Sequence, residues 1–134
     1  MSSAKLDRIL FVDDDPDIQS VTGLALRAVG GFTVEICGSG SEALARGPAF
    51  APDLILLDIM MPGMDGPTTL SRLRAIPETA DTPVIFLTAR VQPEQMERYR
   101  SLGAIGVVAK PFDPMTLASR LRALWEHEKL GTDT

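Results

Sequence analysis

The sequence has few of the residues that build disulfides or zinc sites, and it has no long apolar run. Its only cysteine is Cys37 and its only histidine is His127, among 134 residues. One cysteine cannot form an internal disulfide, and one cysteine with one histidine cannot complete a zinc ligand set. No apolar run approaches the roughly 20 residues that cross a bilayer, and residues 1–7 lack the positively charged start and apolar stretch typical of a signal peptide. We therefore expect a soluble, cytoplasmic protein in which Cys37 is a partly buried thiol.

Positive charge is also scarce. The chain has 13 Lys and Arg against 18 Asp and Glu, a formal net charge of −5. Because nucleic-acid binding depends on attraction to phosphates, this balance predicts no direct contact with DNA or RNA. The length fits a single domain, since a typical domain has roughly 100 to 200 residues.

The apolar residues fall in short runs without clean alternation. Such runs are typical of strands buried on both faces of a parallel sheet. The predicted strands are 9–12, 33–37, 54–57, 84–87 and 106–109.

Helical patterns separate these runs. Asp15-Pro16 and Asp113-Pro114 each predict a capping residue followed by a proline in the first helical turn. The predicted helices are 16–28, 41–46, 67–75, 93–102 and 115–124. Five alternations of strand and helix favour an α/β fold, with a parallel sheet covered by helices on both faces.

Polar side chains follow four of the predicted strands. They are Asp13 to Asp15, Asp58, Thr88 and Lys110. Ligands of parallel sheets bind beyond the carboxyl ends of the strands, so these groups are expected at one edge. Any single one has an ordinary explanation as a loop residue or helix cap. Crowded carboxylates stay ionised most easily around a hard cation such as Mg²⁺, so the set together predicts a site.

The same residues suit phosphoryl transfer. The carboxyl group of Asp58, with an ordinary pKa of about 3.9, is ionised at neutral pH and needs no general base to attack phosphorus. Mg²⁺ and Lys110 would neutralise the negative charge of the phosphoryl oxygens, and the Thr88 hydroxyl would donate a hydrogen bond to one of these oxygens.

Four motifs, ILFVDDDPD, DLILLDIMMPGMDG, VIFLTAR and VVAKPFDP, occur in this order. With them, residues 8–128 resemble a bacterial response-regulator receiver domain, flanked by short tails at 1–7 and 129–134. The resemblance implies a flavodoxin-like (βα)5 three-layer sandwich whose parallel sheet has the order 2-1-3-4-5.

The resemblance also implies roles for the residues at the sheet edge. Asp58 is expected to be the phosphoacceptor, with Thr88 as the switch hydroxyl and Lys110 as the phosphate-sensing lysine. The expected site for Mg²⁺ or Mn²⁺ consists of Asp14 and Asp58 as direct ligands, Asp13 through water, and the backbone carbonyl of Met60.

Two further expectations come from the same motifs. Met60 and Arg90 are expected to flank the approach of hydrolytic water, and a cis peptide bond is expected before Pro111.

The implied function is that of a switch rather than an enzyme with a separate substrate. The phosphoryl donor would be a phosphohistidine of a sensor histidine kinase or a histidine phosphotransfer protein. The output would be altered binding to an unidentified downstream protein, and a phosphorylation-dependent homodimer is also open.

One position departs from the family pattern. Val107 stands three residues before Lys110, where an aromatic residue is usual, and Phe112 is wrongly placed to replace it. This departure leaves open a second interpretation, an interaction module that binds partners without being phosphorylated.

Two rival motifs fit less well. A haloacid-dehalogenase phosphatase would need Thr rather than Asp17 at the fifth position of its Asp-x-Asp-x-Thr motif. A calcium loop starting at Asp13 would need Gly and Glu where Ile18 and Leu24 stand. His127 is expected to be an exposed residue near the end of the last helix, and not a phosphodonor.

Overall fold

Five strands and five helices alternate along the described part of the chain, as predicted. The computed structural model describes residues 5–131. The strands are β1 (Arg8–Val12), β2 (Thr33–Cys37), β3 (Leu54–Asp58), β4 (Val84–Thr88) and β5 (Ala104–Ala109). The helices are α1 (Pro16–Leu24), α2 (Gly40–Phe50), α3 (Gly66–Arg74), α4 (Met96–Ser101) and α5 (Leu117–Gly131).

The strands form one parallel sheet in the order β2-β1-β3-β4-β5. The expected order 2-1-3-4-5 and the flavodoxin-like α/β fold are confirmed. Because all the strands run the same way, the residues that follow them meet at one edge.

The sheet is buried on both faces. In β1, Ile9 and Phe11 enter one core beside residues of α5, and Leu10 and Val12 enter the other beside residues of α2 and α3. This burial explains why the strands read as continuous apolar runs. Cys37, expected to be partly buried, is fully buried, and burial followed by the charge of Glu42 raises the pKa of its thiol to about 11.

The first helix begins as its sequence predicts. The Asp15 carboxylate accepts hydrogen bonds from the backbone N–H groups of Asp17 and Ile18, and Pro16 occupies the first turn. A π-helical turn at Ala25–Val29 continues α1. Gly31 then adopts a φ of 73°, which glycine reaches without a Cβ penalty, and the chain turns into β2.

The predicted end of the second helix was wrong. The helix was predicted over 41–46, yet α2 runs to Phe50 with Pro48 inside it. A Cβ at Gly47 would lie 3.0 Å from the Leu10 side chain, so glycine lets the last turns pack closely on the sheet. Packing outweighs the proline's poor helix propensity here.

The boundaries of two other helices also shifted. The fourth opens as a 3₁₀ turn at Pro93–Gln95 before α4 begins. The last helix, α5, starts only at Leu117. Before it, the Asp113 carboxylate accepts a hydrogen bond from the Met115 N–H, and the Asp113 carbonyl accepts one from the Thr116 N–H in a tight turn.

The predicted tails are partly structured. Leu6 is buried, and residues 129–131 continue α5. Residues 1–4 and 132–134 of the predicted tails lie outside the described residues. Within residues 5–131, no helix has both the length and the apolar character needed to span a bilayer.

The sequence Asp65-Gly66 couples the fold to the sheet edge. Asp65 caps α3, and the Gly66 N–H donates to the Ile59 carbonyl at 2.9 Å. A Cβ at Gly66 would lie 2.4 Å from the Asp58 carbonyl oxygen and 2.8 Å from Ile59 Cα. Only glycine therefore allows α3 to start this close to the end of β3.

Replacing Gly66 with alanine should destabilise the protein. Because backbone atoms would have to move, we expect Gly66→Ala to lower the free energy of unfolding by about 1–3 kcal/mol. Urea denaturation measures this change. The control is Gly38→Ala, whose Cβ would meet only side-chain atoms, the nearest at 3.4 Å, and should cost less. Equal costs for the two variants would contradict this account.

Candidate functional site

Four neighbouring strands bring polar side chains to one edge of the sheet. Asp13 follows β1, Asp58 ends β3, Thr88 ends β4 and Lys110 follows β5. The Lys110 N–H donates to the Thr88 carbonyl at 2.8 Å, which continues the pairing of β4 with β5 beyond the last strand residue. The local geometry therefore follows directly from strand register.

The Lys110 ammonium bridges two buried carboxylates. Its Nζ lies 2.9 Å from Asp13 Oδ2 and 3.2 Å from Asp58 Oδ1. Asp13 is 0% exposed and Asp58 is 2% exposed. At this depth an unpaired carboxylate is costly, so the lysine partly offsets the charge of both groups.

Asp13 is held from several directions. Its Oδ1 accepts a hydrogen bond from the Asp15 N–H at 2.9 Å, and its carbonyl accepts one from Gln19 Nε2 at 2.6 Å. Its Oδ2 meets Lys110 as an ion pair but has no aligned hydrogen bond from the described residues. A buried carboxylate oxygen with an unused acceptor position is therefore aimed at the site.

The acidic residues can share one cation. One carboxylate oxygen from each of Asp13, Asp14 and Asp58 lies within 4.8 Å of the other two. All three ligand atoms are oxygens, and Asp14 is exposed at the mouth of the site. The set fits Mg²⁺ or Mn²⁺, which bind one or two carboxylates and keep other positions for water or phosphate. Met60 follows two residues after Asp58 and is 74% exposed.

The electrostatics of Asp58 differ from those of an ordinary aspartate. Burial, followed by the charge of Asp13, raises the pKa of Asp58 to about 6, although Lys110 and the Met60 backbone act to lower it. Burial alone would lower the pKa of Lys110, but the two carboxylates raise it above its usual value. Lys110 therefore stays charged while Asp58 is ionised at neutral pH.

Thr88 faces its own loop. Its hydroxyl donates to the Arg90 carbonyl at 3.0 Å and accepts from the Arg90 N–H at 3.1 Å. The predicted hydrogen bond to a phosphoryl oxygen on Asp58 would require the bond to the Arg90 carbonyl to break. The Thr88 side chain is 3% exposed, so such a change happens inside the fold.

Other predicted features lie around this centre. The Lys110–Pro111 peptide bond is cis, as expected. His127 is exposed on α5, also as expected. Val107 is half-buried and Arg90 is exposed.

Two residues near the site carried no predicted role. Gln19, which binds the Asp13 carbonyl, lies on α1 and would not stand out in sequence. Tyr99 lies on α4 and lines a cavity together with Thr88 and Arg90. It is the only tyrosine in the chain, and no motif in the sequence marks it as part of the site.

The sequence comparisons match this geometry. Residues 9–122 match the family model of the response regulator receiver domain. The chain is 40% identical over 116 residues to the DNA-binding response regulator MtrA of Mycolicibacterium smegmatis, covering 87% of this chain and 49% of that protein. It is 39% identical over 119 residues to the DNA-binding dual master transcriptional regulator RpaA of a Synechocystis species, covering 89% and 49%. The chain thus spans about half the length of these curated relatives.

Solved structures resemble the chain over most of its length. The chemotaxis protein CheY4 of Vibrio cholerae aligns with a TM-score of 0.83 and 32% identity, covering 89% of this chain and 98% of that one. The receiver domain of sensor histidine kinase PA1611 of Pseudomonas aeruginosa aligns with a TM-score of 0.78 and 29% identity, covering 90% and 98%. That structure holds a magnesium ion coordinated in its active-site cleft.

The raised pKa of Asp58 has a consequence for stability. Its folded pKa of about 6 exceeds the ordinary 3.8, so its stabilising contribution is present below about pH 4 and is lost as pH rises through 6. Without metal, the free energy of unfolding of Asp58→Asn at pH 7.5 should therefore exceed that of the natural protein by about 1–3 kcal/mol. The difference should shrink toward pH 4.5.

Urea denaturation in a chelator at both pH values measures this effect. Asp7→Asn removes an exposed carboxylate outside the cluster and should change stability little at either pH. Added Mg²⁺ should stabilise the natural protein more than it stabilises Asp58→Asn, because the natural protein has one more carboxylate whose negative charge the cation can offset. An Asp58→Asn variant that is less stable in chelator at pH 7.5 would contradict the raised pKa.

Proposed function

Because the chain belongs to the response regulator receiver domain family, we propose that it is a phosphoacceptor switch in which Asp58 receives the phosphoryl group. The observation that carries the proposal is the contact of one ammonium, Lys110, with the two buried carboxylates of Asp13 and Asp58. Membership of this family also argues against the phosphatase class considered from sequence.

The donor in this proposal is a phosphohistidine of a sensor histidine kinase or a histidine phosphotransfer protein. A carboxylate oxygen of Asp58 forms a bond to phosphorus as the bond from phosphorus to the histidine nitrogen breaks. The nitrogen keeps the electron pair of the broken bond, and the product is an acyl phosphate on Asp58. No proton has to be removed from the nucleophile, because Asp58 is ionised at neutral pH.

The remaining residues act on charge and position. Lys110 already contacts Asp58 Oδ1 and would move to an oxygen of the transferred group, which keeps positive charge beside it. Thr88 would turn from the Arg90 carbonyl and donate to a second phosphoryl oxygen.

The metal fits the residues present. Asp13, Asp14, Asp58 and the backbone carbonyl of Met60 would hold Mg²⁺ or Mn²⁺. When bound, the cation supplies charge neutralisation for the phosphoryl oxygens and for the three carboxylates. The magnesium found in the PA1611 receiver supports this assignment.

The output of the switch is altered protein binding. DNA binding is stated of full-length relatives, of which this chain covers 49%. The net charge of −5 gives these 134 residues no electrostatic attraction to DNA, so we propose a protein as their direct partner. The cytoplasmic location and a phosphorylation-dependent homodimer remain parts of the proposal.

The proposal predicts phosphorylation that depends on Asp58 and on metal. A small acyl phosphate with Mg²⁺ should add one phosphoryl group to the natural chain and none to Asp58→Asn, as read by intact-mass spectrometry. A chelator should slow the reaction by about 100-fold or more, since electrostatic stabilisation carries most of the catalysis.

Asp7→Asn is the matched control and should be phosphorylated like the natural chain. Equal labelling of Asp58→Asn, or labelling unaffected by the chelator, would refute the proposed chemistry. No labelling of the natural chain by any donor would favour the alternative of an unphosphorylated interaction module.

A further inference from the structure

Tyr99 lines two cavities, one beside the loop after β4 and one between α4 and β5. A cavity of about 310 Å³ is lined by Thr88, Arg90 and Tyr99. A second, smaller cavity of about 30 Å³ is lined by Tyr99, Arg100 and Val107. Tyr99 therefore borders both the space beside the loop that follows β4 and the groove between α4 and β5.

Tyr99 is also the residue that anchors α4. It is 6% exposed and is the buried residue of this six-residue helix, whose N-terminus has no side-chain cap. Its ring meets Phe86 of β4 edge-on, with 5.0 Å between centroids and an interplanar angle of 60°. Tyr99 therefore provides the most deeply buried contact of α4 with the sheet, with Met96 and Leu102 packed less deeply against the same core.

The ring is held by packing alone. Tyr99 contacts Phe86, and no residue within 5–131 forms a hydrogen bond with its hydroxyl. Reorienting it breaks no hydrogen bond to the protein, so its position can follow a change in the volume of the neighbouring cavity. Packed interiors respond to such changes by discrete repacking, because they have little compressibility.

The loop after β4 supplies that change in volume. Thr88 is bonded to both the N–H and the carbonyl of Arg90. When Thr88 turns toward a phosphoryl group on Asp58, the bond to the Arg90 carbonyl is lost and the Ala89-Arg90 segment is released. Ala89 and Arg90 line the same cavity as Tyr99, so the space beside the ring changes.

We propose that Tyr99 is the positioning residue that couples Thr88 to the surface formed by α4 and β5. The inference rests on the proposed function, since phosphorylation of Asp58 is the event that Tyr99 would report. The surface affected includes Met96, Arg100 and Val107, where a partner protein would meet a repacked face. Tyr99 touches neither Asp58 nor the phosphoryl group in this proposal, and acts through the Thr88 loop.

The chain contains one tyrosine and one tryptophan, which makes a direct test available. Incorporated 3-fluorotyrosine reports on Tyr99 by ¹⁹F NMR, and 5-fluorotryptophan reports on Trp125. The Trp125 indole donates to the carbonyl of Asp53, before β3 and at the opposite edge of the sheet. Acyl phosphate and Mg²⁺ should shift the Tyr99 resonance and leave the Trp125 resonance in place.

Intact mass is measured on the same samples, so phosphorylation and coupling are read separately. At equal phosphorylated fraction, Thr88→Ala should lose the Tyr99 shift. The control Thr82→Ala removes a threonine hydroxyl near the start of β4 and should keep it. A phosphorylated natural chain with an unmoved Tyr99 resonance, or a full shift in Thr88→Ala, would overturn the coupling and leave the phosphoacceptor function standing. No gain in mass would refute both.

A second measurement tests Tyr99 through its own variants. Phosphorylation should change the amide hydrogen exchange of residues 96–102 by about 5-fold or more in the natural chain, the lower end of typical coupling. Tyr99→Phe keeps the ring and should retain this response, whereas Tyr99→Leu should lose it at the same phosphorylated mass. An unaltered response in Tyr99→Leu would exclude the ring as the coupling element.

Discussion

The burial of the Asp13 and Asp58 carboxylates side by side, with Asp14 at the mouth of the site, is the constraint on which the site depends. Two of these carboxylates are almost completely buried, and their oxygens lie close enough to share one cation. Burial, followed by the charge of Asp13, raises the pKa of Asp58, and the contact with Lys110 only partly opposes this rise. The site is therefore suited to further positive charge, which the proposed transfer of a phosphoryl group to Asp58 would need.

The rest of the fold supplies the stability that allows these charged groups to lie close together. Parallel strands with apolar side chains on both faces place the polar residues at the ends of the strands, where water and metal can reach them. The close start of α3 at Gly66 and the hydrogen bond from Gln19 fix the backbone around Asp58 and Asp13. The stability needed to hold the acidic cluster thus comes from the two cores and not from the site.

The strands and the site residues could be predicted because both depend on local patterns. Asp13, Asp58, Thr88 and Lys110 each follow an apolar run, and parallel pairing alone brings such positions together. The length of α2 could not be predicted, because Pro48 is tolerated only through packing that Gly47 allows. The bonding of Thr88 to Arg90 and the burial of Tyr99 depend on side-chain orientation, which residue spacing does not specify. The meeting of the site residues at one sheet edge could therefore be predicted from sequence, whereas the proposed connection from the site to the surface required the structure.

Chemical trapping of the phosphoryl group tests the central claim most directly, because it identifies the carboxylate that carries it. Borohydride reduces an acyl phosphate to an alcohol, so a phosphorylated aspartate becomes homoserine, which peptide mass spectrometry can locate. After reaction with acyl phosphate and Mg²⁺, the account predicts homoserine at position 58 and unchanged aspartate at positions 13 and 14. Homoserine at Asp13 or Asp14, or a phosphorylated chain with aspartate intact at all three positions, would contradict it.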